Sequence, residues 1–300
     1  MSKVFETVSE ELFRDRAMGG LVAAACLDAL GNVNQFGPRI PHEDWVRDMK
    51  PARWSNTPAG TYTDDTSMSL CVAQAYLDKG AFDPRHTMDV LLDWYRDGRF
   101  SAVKGHAFDV GIATSRALSD YARTGSLTNG CETTRGNGSL LRAFPAWLIG
   151  LAEGNVPAVT MSVSDMTHNS AFVRDYVKTL NDIFQTHVFT GQTTTIYRAE
   201  LLSTYTTANF PNGGFVKDTL EGALWCYYTS HFEEAAIKAC NAGGDSDSVG
   251  AVLGAIAGSR FGMGVIPPRW IDGLRDHDAI ISLYSDFVTA IIAKIREREG

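Results

Sequence analysis

Two stretches constrain the fold of this chain more than any others: LVAAACLDALG at 21–31 and GAVLGAIAGS at 250–259. Both consist almost wholly of small and aliphatic residues, so each reads as a helix that packs closely on a neighbour or is buried all round. Around them the apolar spacing is helical wherever it can be counted. Met68, Cys71, Val72, Ala75 and Tyr76 stand at i, i+3, i+4, i+7 and i+8, and Val249, Val252, Leu253, Ile256 and Ala257 repeat that pattern. Shorter stripes recur at Val110, Ala113, Ala117 and Leu118, at Leu220, Ala223, Leu224 and Tyr227, and at Ile280, Leu283, Phe287 and Ile291. Gly80 and Gly262 fall where two of these helices should stop. Only TTTIY (193–197) and VFT (188–190) look β-like, and neither is long enough to anchor a sheet. The expectation is an all-α fold, a single compact multi-helix domain spanning 1–300 with about ten or more helices. The stretches 32–62, 99–106, 125–137 and 206–216 hold much of the Gly, Pro, Asn and Thr and read as loops that carry function.

Composition excludes several roles. With a net charge of −8, nucleic acid and anionic membrane are poor default partners, because both bind basic surfaces. No apolar run approaches the roughly 20 residues that span a bilayer. The opening MSKVFETVSEELFRD carries acids and lacks an apolar core, so it does not read as a secretion signal. The five cysteines are odd in number and never spaced CxxC, which points to reduced thiols and a cytoplasmic setting rather than a disulfide framework or zinc ribbon.

The chemistry sits at two helix starts. Thr61-Tyr62-Thr63-Asp64-Asp65-Thr66 immediately precedes the Met68 helix, and Gly243-Gly244-Asp245-Ser246-Asp247-Ser248 immediately precedes the Val249 helix. A single Asp at either place would be an N-cap; two exceed what a cap uses. Asp245 and Asp247 would diverge by about 200° on a helix, so they converge only if they lie in the turn. If the carboxylates meet, each pair repels by about 4 kcal/mol at about 4 Å and an effective dielectric near 20. A hard divalent cation would relieve that repulsion, and an oxygen-only donor set favours Mg²⁺, Mn²⁺ or Ca²⁺ over zinc. Spacing alone leaves metal binding and capping both open. The Asp245-Ser-Asp247-Ser-Val249 run also fits a dehalogenase-type phosphatase motif, but the preceding AAIKACNAGG is a helix end with glycines, not the buried strand that motif requires.

With these motifs the chain resembles the ADP-ribosylglycohydrolase family, closest to the bacterial dinitrogenase-reductase-activating glycohydrolases, from about Arg16 to Gly262. The landmarks come in order: Asp28-Ala-Leu-Gly31, Thr63-Asp64-Asp65-Thr66, Phe108-Asp109-Val-Gly111, Gly136-Asn137-Gly138-Ser139, Thr167-His168-Asn169 and Gly243-Gly-Asp245-Ser-Asp247-Ser248. The resemblance implies a central cleft with a binuclear site for two Mg²⁺ (or Mn²⁺), held by Thr63, Asp64, Asp65, Asp245, Asp247 and Ser248. It implies a hydrolase that cleaves the N-glycosidic bond between ADP-ribose and an arginine side chain of a modified protein. The partner would be that ADP-ribosylated protein, ADP-ribose would be the product, and the enzyme would act as a monomer. Asp109 matches the aspartate of arginine-directed members, and Asp65 and Gln35 complete the expected catalytic set; capping of the Val110 helix is the alternative role for Asp109. Asn137, Gly138 and Ser139 resemble a phosphate or ribose loop. His168 and Phe215 would contact the ADP-ribose, Phe215 against adenine; each could equally be a core residue.

There are departures. Gln35 stands where many relatives carry an acid, and an amide cannot take a proton. Glu132 is a substitute more in keeping with a solvated loop. Leu27 replaces a small residue before Asp28, which reads as structural rather than as a ligand. Two alternatives follow: a crystallin-like ADP-ribose-binding relative without turnover, or a hydrolase of another ADP-ribosyl linkage, with Arg39, Arg47, Lys50 and Arg53 as a basic cleft rim if the substrate is a polynucleotide.

Overall fold

Helices make up every extended regular element of the computed structural model, which describes residues 3–300. The first half runs α1 (Val4–Thr7), α2 (Glu10–Gly31), α3 (Asp64–Lys79), α4 (Pro84–Asp97), α5 (Ile112–Thr124), α6 (Ala143–Glu153) and α7 (Val156–Asp165). The second half runs α8 (Ala171–Thr190), α9 (Arg198–Thr204), α10 (Val216–Thr229), α11 (Phe232–Cys240), α12 (Ser246–Phe261), α13 (Pro268–Gly273) and α14 (His277–Glu299). Among the described residues the only β pairing is an isolated antiparallel bridge between Gly136 and Phe215. The VFT segment belongs to the last turn of α8, where Val188 continues its buried face.

The two small-residue helices form the axis. A Cβ at Gly250 would fall 2.5 Å from the Leu27 carbonyl oxygen, one at Gly254 2.5 Å from that of Ala23, and one at Gly258 2.1 Å from that of Gly19. Numbers rise on α12 as they fall on α2, so the helices run antiparallel, with a glycine at every fourth α12 position where the backbones touch. Leu27, the larger residue noted above, is buried and faces Gly250. The same register brings Gly31 against Ser246 and Asp247, and Ser246 Oγ donates to the Gly31 carbonyl at 2.9 Å. The end of α2 therefore meets the start of α12. This places Asp28, one turn back on α2, beside the acids of α12.

Around this axis α3 and α14 pack on α2, while α8, α10 and α11 pack on α12. The buried apolar side chains form one continuous cluster, with Trp94, Trp147 and Trp270 among its largest members. Cys26, Cys71, Cys226 and Cys240 are buried and Cys131 is exposed; none is paired in a disulfide. Three helix starts differ from the sequence expectation, and α12 is one of them, beginning at Ser246 rather than after Ser248. α3 begins at Asp64, so Asp64 and Asp65 lie in its first turn with Thr63 as N-cap. α5 begins at Ile112 behind Gly111, which removes the capping role considered for Asp109 and leaves Val110 in the loop.

Candidate active site

Asp28 is the hub on which the first acidic motif is folded. Fully buried, it accepts hydrogen bonds from the Thr63 and Thr66 backbone amides at 3.0 Å, and from their hydroxyls at 2.9 and 2.6 Å. Burial still pushes its carboxyl up to about 6, against the pull of these four donors. One oxygen each from Asp28, Asp65 and Asp247 lies within 4.8 Å of the other two. Asp65 Oδ2 and Asp247 Oδ1 are buried without a hydrogen-bond partner. Burial is the main cause that raises both carboxyls well above their ordinary value, followed by Asp247 acting on Asp65 and Asp245 acting on Asp247. Orphaned carboxylate oxygens that repel one another in a buried cluster are the donor set a hard divalent cation satisfies. Asp28 thus has the structural role expected of it and also belongs to the cluster, which its sequence reading did not include.

Asp245 and Asp247 do not both lie in the turn, yet both line one cleft because the start of α12 falls between them. Gly243 and Gly244 adopt left-handed backbone conformations (φ 71° and 59°), and Asp245 is the N-cap of α12 while Asp247 lies inside its first turn. Asp245 Oδ2 accepts Asn137 Nδ2 at 2.6 Å, and Ser248 also bonds its side chain; both oppose the upward push of burial.

These acids floor a cleft of about 970 Å³. One lip carries Gln35 and Asp109, joined by a hydrogen bond from Gln35 Nε2 to Asp109 Oδ2 at 2.6 Å. Asp109 is itself left-handed (φ 59°), and the Gly111 amide two residues on donates to Asp64 Oδ2 at 3.4 Å. Burial pushes the Asp109 carboxyl up to about 7, and the Gln35 bond opposes this. The other lip carries Gly136, Asn137, Gly138, His168 and Phe215, whose ring is 61% exposed. A Cβ at Gly136 or Gly138 would lie 3.0 Å from His168 Nε2 or 2.8 Å from Cε1, so their lack of side chains leaves the imidazole room.

Sequence reading missed Arg142. It is fully buried and donates to the Gly138 and Val163 carbonyls, Met68 Sδ and Thr167 Oγ1. Thr167 Oγ1 accepts from this donor-only group and lies 2.7 Å from His168 Nδ1. With the hydroxyl proton directed to Nδ1, Nε2–H is a donor on the Gly136–Gly138 side; with the other tautomer Nε2 is an acceptor there. Burial first and Arg142 second depress His168 to about 3, so the ring is neutral at physiological pH. The available signal was a lone cation in the run LLRAFPAW.

Of the residues read from sequence, Gln35, Asp64, Asp65, Asp109, Asn137, Gly138, His168, Phe215, Asp245, Asp247 and Ser248 all line this cleft. Thr63 and Ser139 do not: Thr63 directs its hydroxyl to Asp28, and Ser139 is buried against Ser164 at 3.0 Å. Glu132 is exposed and outside the lining. The basic rim is corrected. Arg39 donates to the Thr207 and Phe210 carbonyls, Arg47 pairs with Glu234 at 3.6 Å, and among the described residues Arg116 is the one Lys or Arg lining the cleft.

A helical fold wound on a glycine seam, with paired acids from two helix starts in one cleft, has known counterparts. The ADP-ribosylglycohydrolase family profile matches residues 9–297, and the chain belongs to that family. It is 32% identical to the ADP-ribosylarginine hydrolase Tri1 of Pseudomonas putida, with 89% of this chain and 76% of that protein covered. It is 27% identical to the ADP-ribosyl-[dinitrogen reductase] glycohydrolase of Rhodospirillum rubrum, over 90% of this chain and 96% of the relative. A solved ADP-ribosylglycohydrolase-related protein complex superposes with a TM-score of 0.78 at 29% identity, covering 93% of this chain and 99% of its own. The chain is a hydrolase acting on ADP-ribosyl glycosidic bonds.

Proposed function

We propose that this protein removes ADP-ribose from arginine side chains of modified proteins, with two Mg²⁺ or Mn²⁺ ions as cofactors and free ADP-ribose as product. The observation that carries the reading is that Asp109, held by Gln35, lines the same cleft as Asp65 and Asp247 of the buried acid cluster. Asp64, Asp65, Asp245, Asp247 and Asp28 would hold the metal, with Thr63 and Ser248 turning neighbouring carboxylates. When bound, the cations would supply Lewis acidity toward the ribose hydroxyls and water.

The chain's own groups divide the remaining work. Asn137 fixes Asp245 and borders the ribose. Gly136 and Gly138 let the backbone approach a phosphate, and neutral His168 offers Nε2–H to an oxygen acceptor. Phe215 presents an exposed ring on which adenine can stack. Asp109 would serve the breaking anomeric C–N bond, taking a proton from water or giving one to the departing guanidine. Burial raises its carboxyl and favours proton uptake, while the Gln35 hydrogen bond and bound cations favour the charged form. Gln35 orients Asp109 and takes no proton.

The reading is tested with two peptides of one sequence, ADP-ribosylated on arginine or on serine. Faster release from the arginine peptide is the expected result. Preference for serine would transfer the chain to another linkage, and ADP-ribose binding without release from either would make it a receptor.

A further inference from the structure

Phe36, which lines the cleft, is one end of an aromatic ledge that continues through Trp54 to Phe108. Phe36, directly after Gln35, is 60% exposed and has a left-handed backbone (φ 57°), which is unusual for a bulky residue. Its ring meets Trp54 edge-on at 5.0 Å, and Trp54 stacks on Phe108 at 5.3 Å with 17° between the planes. Trp54 Nε1 donates to Asn32 Oδ1 at 2.9 Å, which ties the ledge to the end of α2. Phe108 immediately precedes Asp109. The ledge therefore joins both partners of the Gln35–Asp109 pair, each flanked by one of its rings.

The two lips differ in what they can recognise. The lip of Gly136, Asn137, His168 and Phe215 offers donors, bare backbone and a stacking face, which suits a nucleotide. The lip of Asp109 and the ledge offers a carboxylate and π faces, which suits a cation. Asp109 lines the cleft but is not one of the carboxylates assigned to the metal, so its charge stays available to a cationic group.

We infer that the Phe36–Trp54–Phe108 ledge receives the guanidinium and aliphatic stem of the target's arginine. A guanidinium is planar and weakly hydrated, stacks on aromatic rings, and keeps its edge N–H donors free for a carboxylate such as Asp109. This rests on the arginine reading above and adds its leaving-group side: a neutral serine gains nothing from the π faces.

The test compares wild type with Trp54→Ala, Trp54→Phe and Phe36→Leu, each shown to be folded by circular dichroism. Three quantities are read: KM and kcat on the arginine-linked peptide, the Kd of ADP-ribose, and the Kd of Nα-acetyl-arginine amide with ADP-ribose present. Trp54→Ala and Phe36→Leu should each raise KM and weaken the arginine probe by about 2- to 5-fold, the range of an exposed cation–π contact. ADP-ribose affinity should stay unchanged, and Trp54→Phe should restore most of the loss. Unchanged KM and probe binding would overturn the proposal, as would a parallel fall in ADP-ribose affinity. If wild type releases nothing from the arginine peptide yet its probe binding drops in Trp54→Ala, the ledge stands and the substrate reading falls. A probe that does not bind wild type sinks the ledge whatever the turnover.

Discussion

Gln35 Nε2 donates to Asp109 Oδ2 at 2.6 Å, joining loops 74 residues apart. A carboxamide donor leaves Asp109 free to be charged, with no proton to share. A carboxyl in place of Gln35 would keep the contact only while one proton lies between two acids. Gln35→Glu should therefore match wild type near pH 6 and fall about tenfold behind it by pH 8, as the second proton leaves. The check is kcat/KM against pH for both proteins; parallel profiles would show that the amide does not set the state of Asp109.

Asp28 accepts four hydrogen bonds from Thr63 and Thr66 and shapes the start of α3. Asp28→Ala leaves these buried donors unpaired and should cost about 3–5 kcal/mol. Urea unfolding with chelator present isolates this from any metal contribution. A variant within about 1 kcal/mol of wild type would remove Asp28 from its role as hub.

The buried acids give the metal-free protein a pH signature. Asp28 and Asp109 rise from an unfolded value of 3.8 to about 6 and about 7. Between about 4 and 7 the folded state thus binds more protons than the unfolded state, and stability falls as pH rises. With chelator, Tm should be lower at pH 8 than at pH 5.5, and added Mg²⁺ should raise it more at pH 8. Asp65→Asn removes one repelling charge, so it should stabilise the chelated protein by about 1–2 kcal/mol and abolish the Mg²⁺ response. A chelated Tm that climbs with pH would contradict this account of the cluster.

The glycine seam makes a packing prediction. Gly254→Ala and Gly258→Ala would press a methyl group onto the α2 backbone at 2.5 and 2.1 Å. Each should lose about 3 kcal/mol or more. Gly264→Ala meets nothing within 4 Å and serves as the control. Thermal unfolding of the three decides it, and equal Tm values would mean the seam relaxes freely.

Much of this was legible in the chain itself. The small-residue periodicity at 21–31 and 250–259 predicted close-packed helices, and the doubled acids at Asp64-Asp65 and Asp245/Asp247 exceeded what capping needs. Asp28 was underread because its partners, Thr63 and Thr66, come from 35 and 38 residues away, and only the α2–α12 register places Asp247 beside it. Arg142 was missed because a buried cation satisfied by carbonyls has no sequence pattern. The basic rim was misplaced because Arg39 and Arg47 are adjacent to the motif in sequence but bond away from the cleft. The α5 start shifted because Val110 fits the apolar stripe, whereas Gly111 sets the cap.

The most direct test of the central claim is release of free ADP-ribose from an arginine-ADP-ribosylated protein, with Mg²⁺, with Mn²⁺ and with chelator. Release should require divalent metal and be lost in Asp109→Asn. Release that persists in chelator, or no release at any metal concentration from a protein that still binds ADP-ribose, would contradict it.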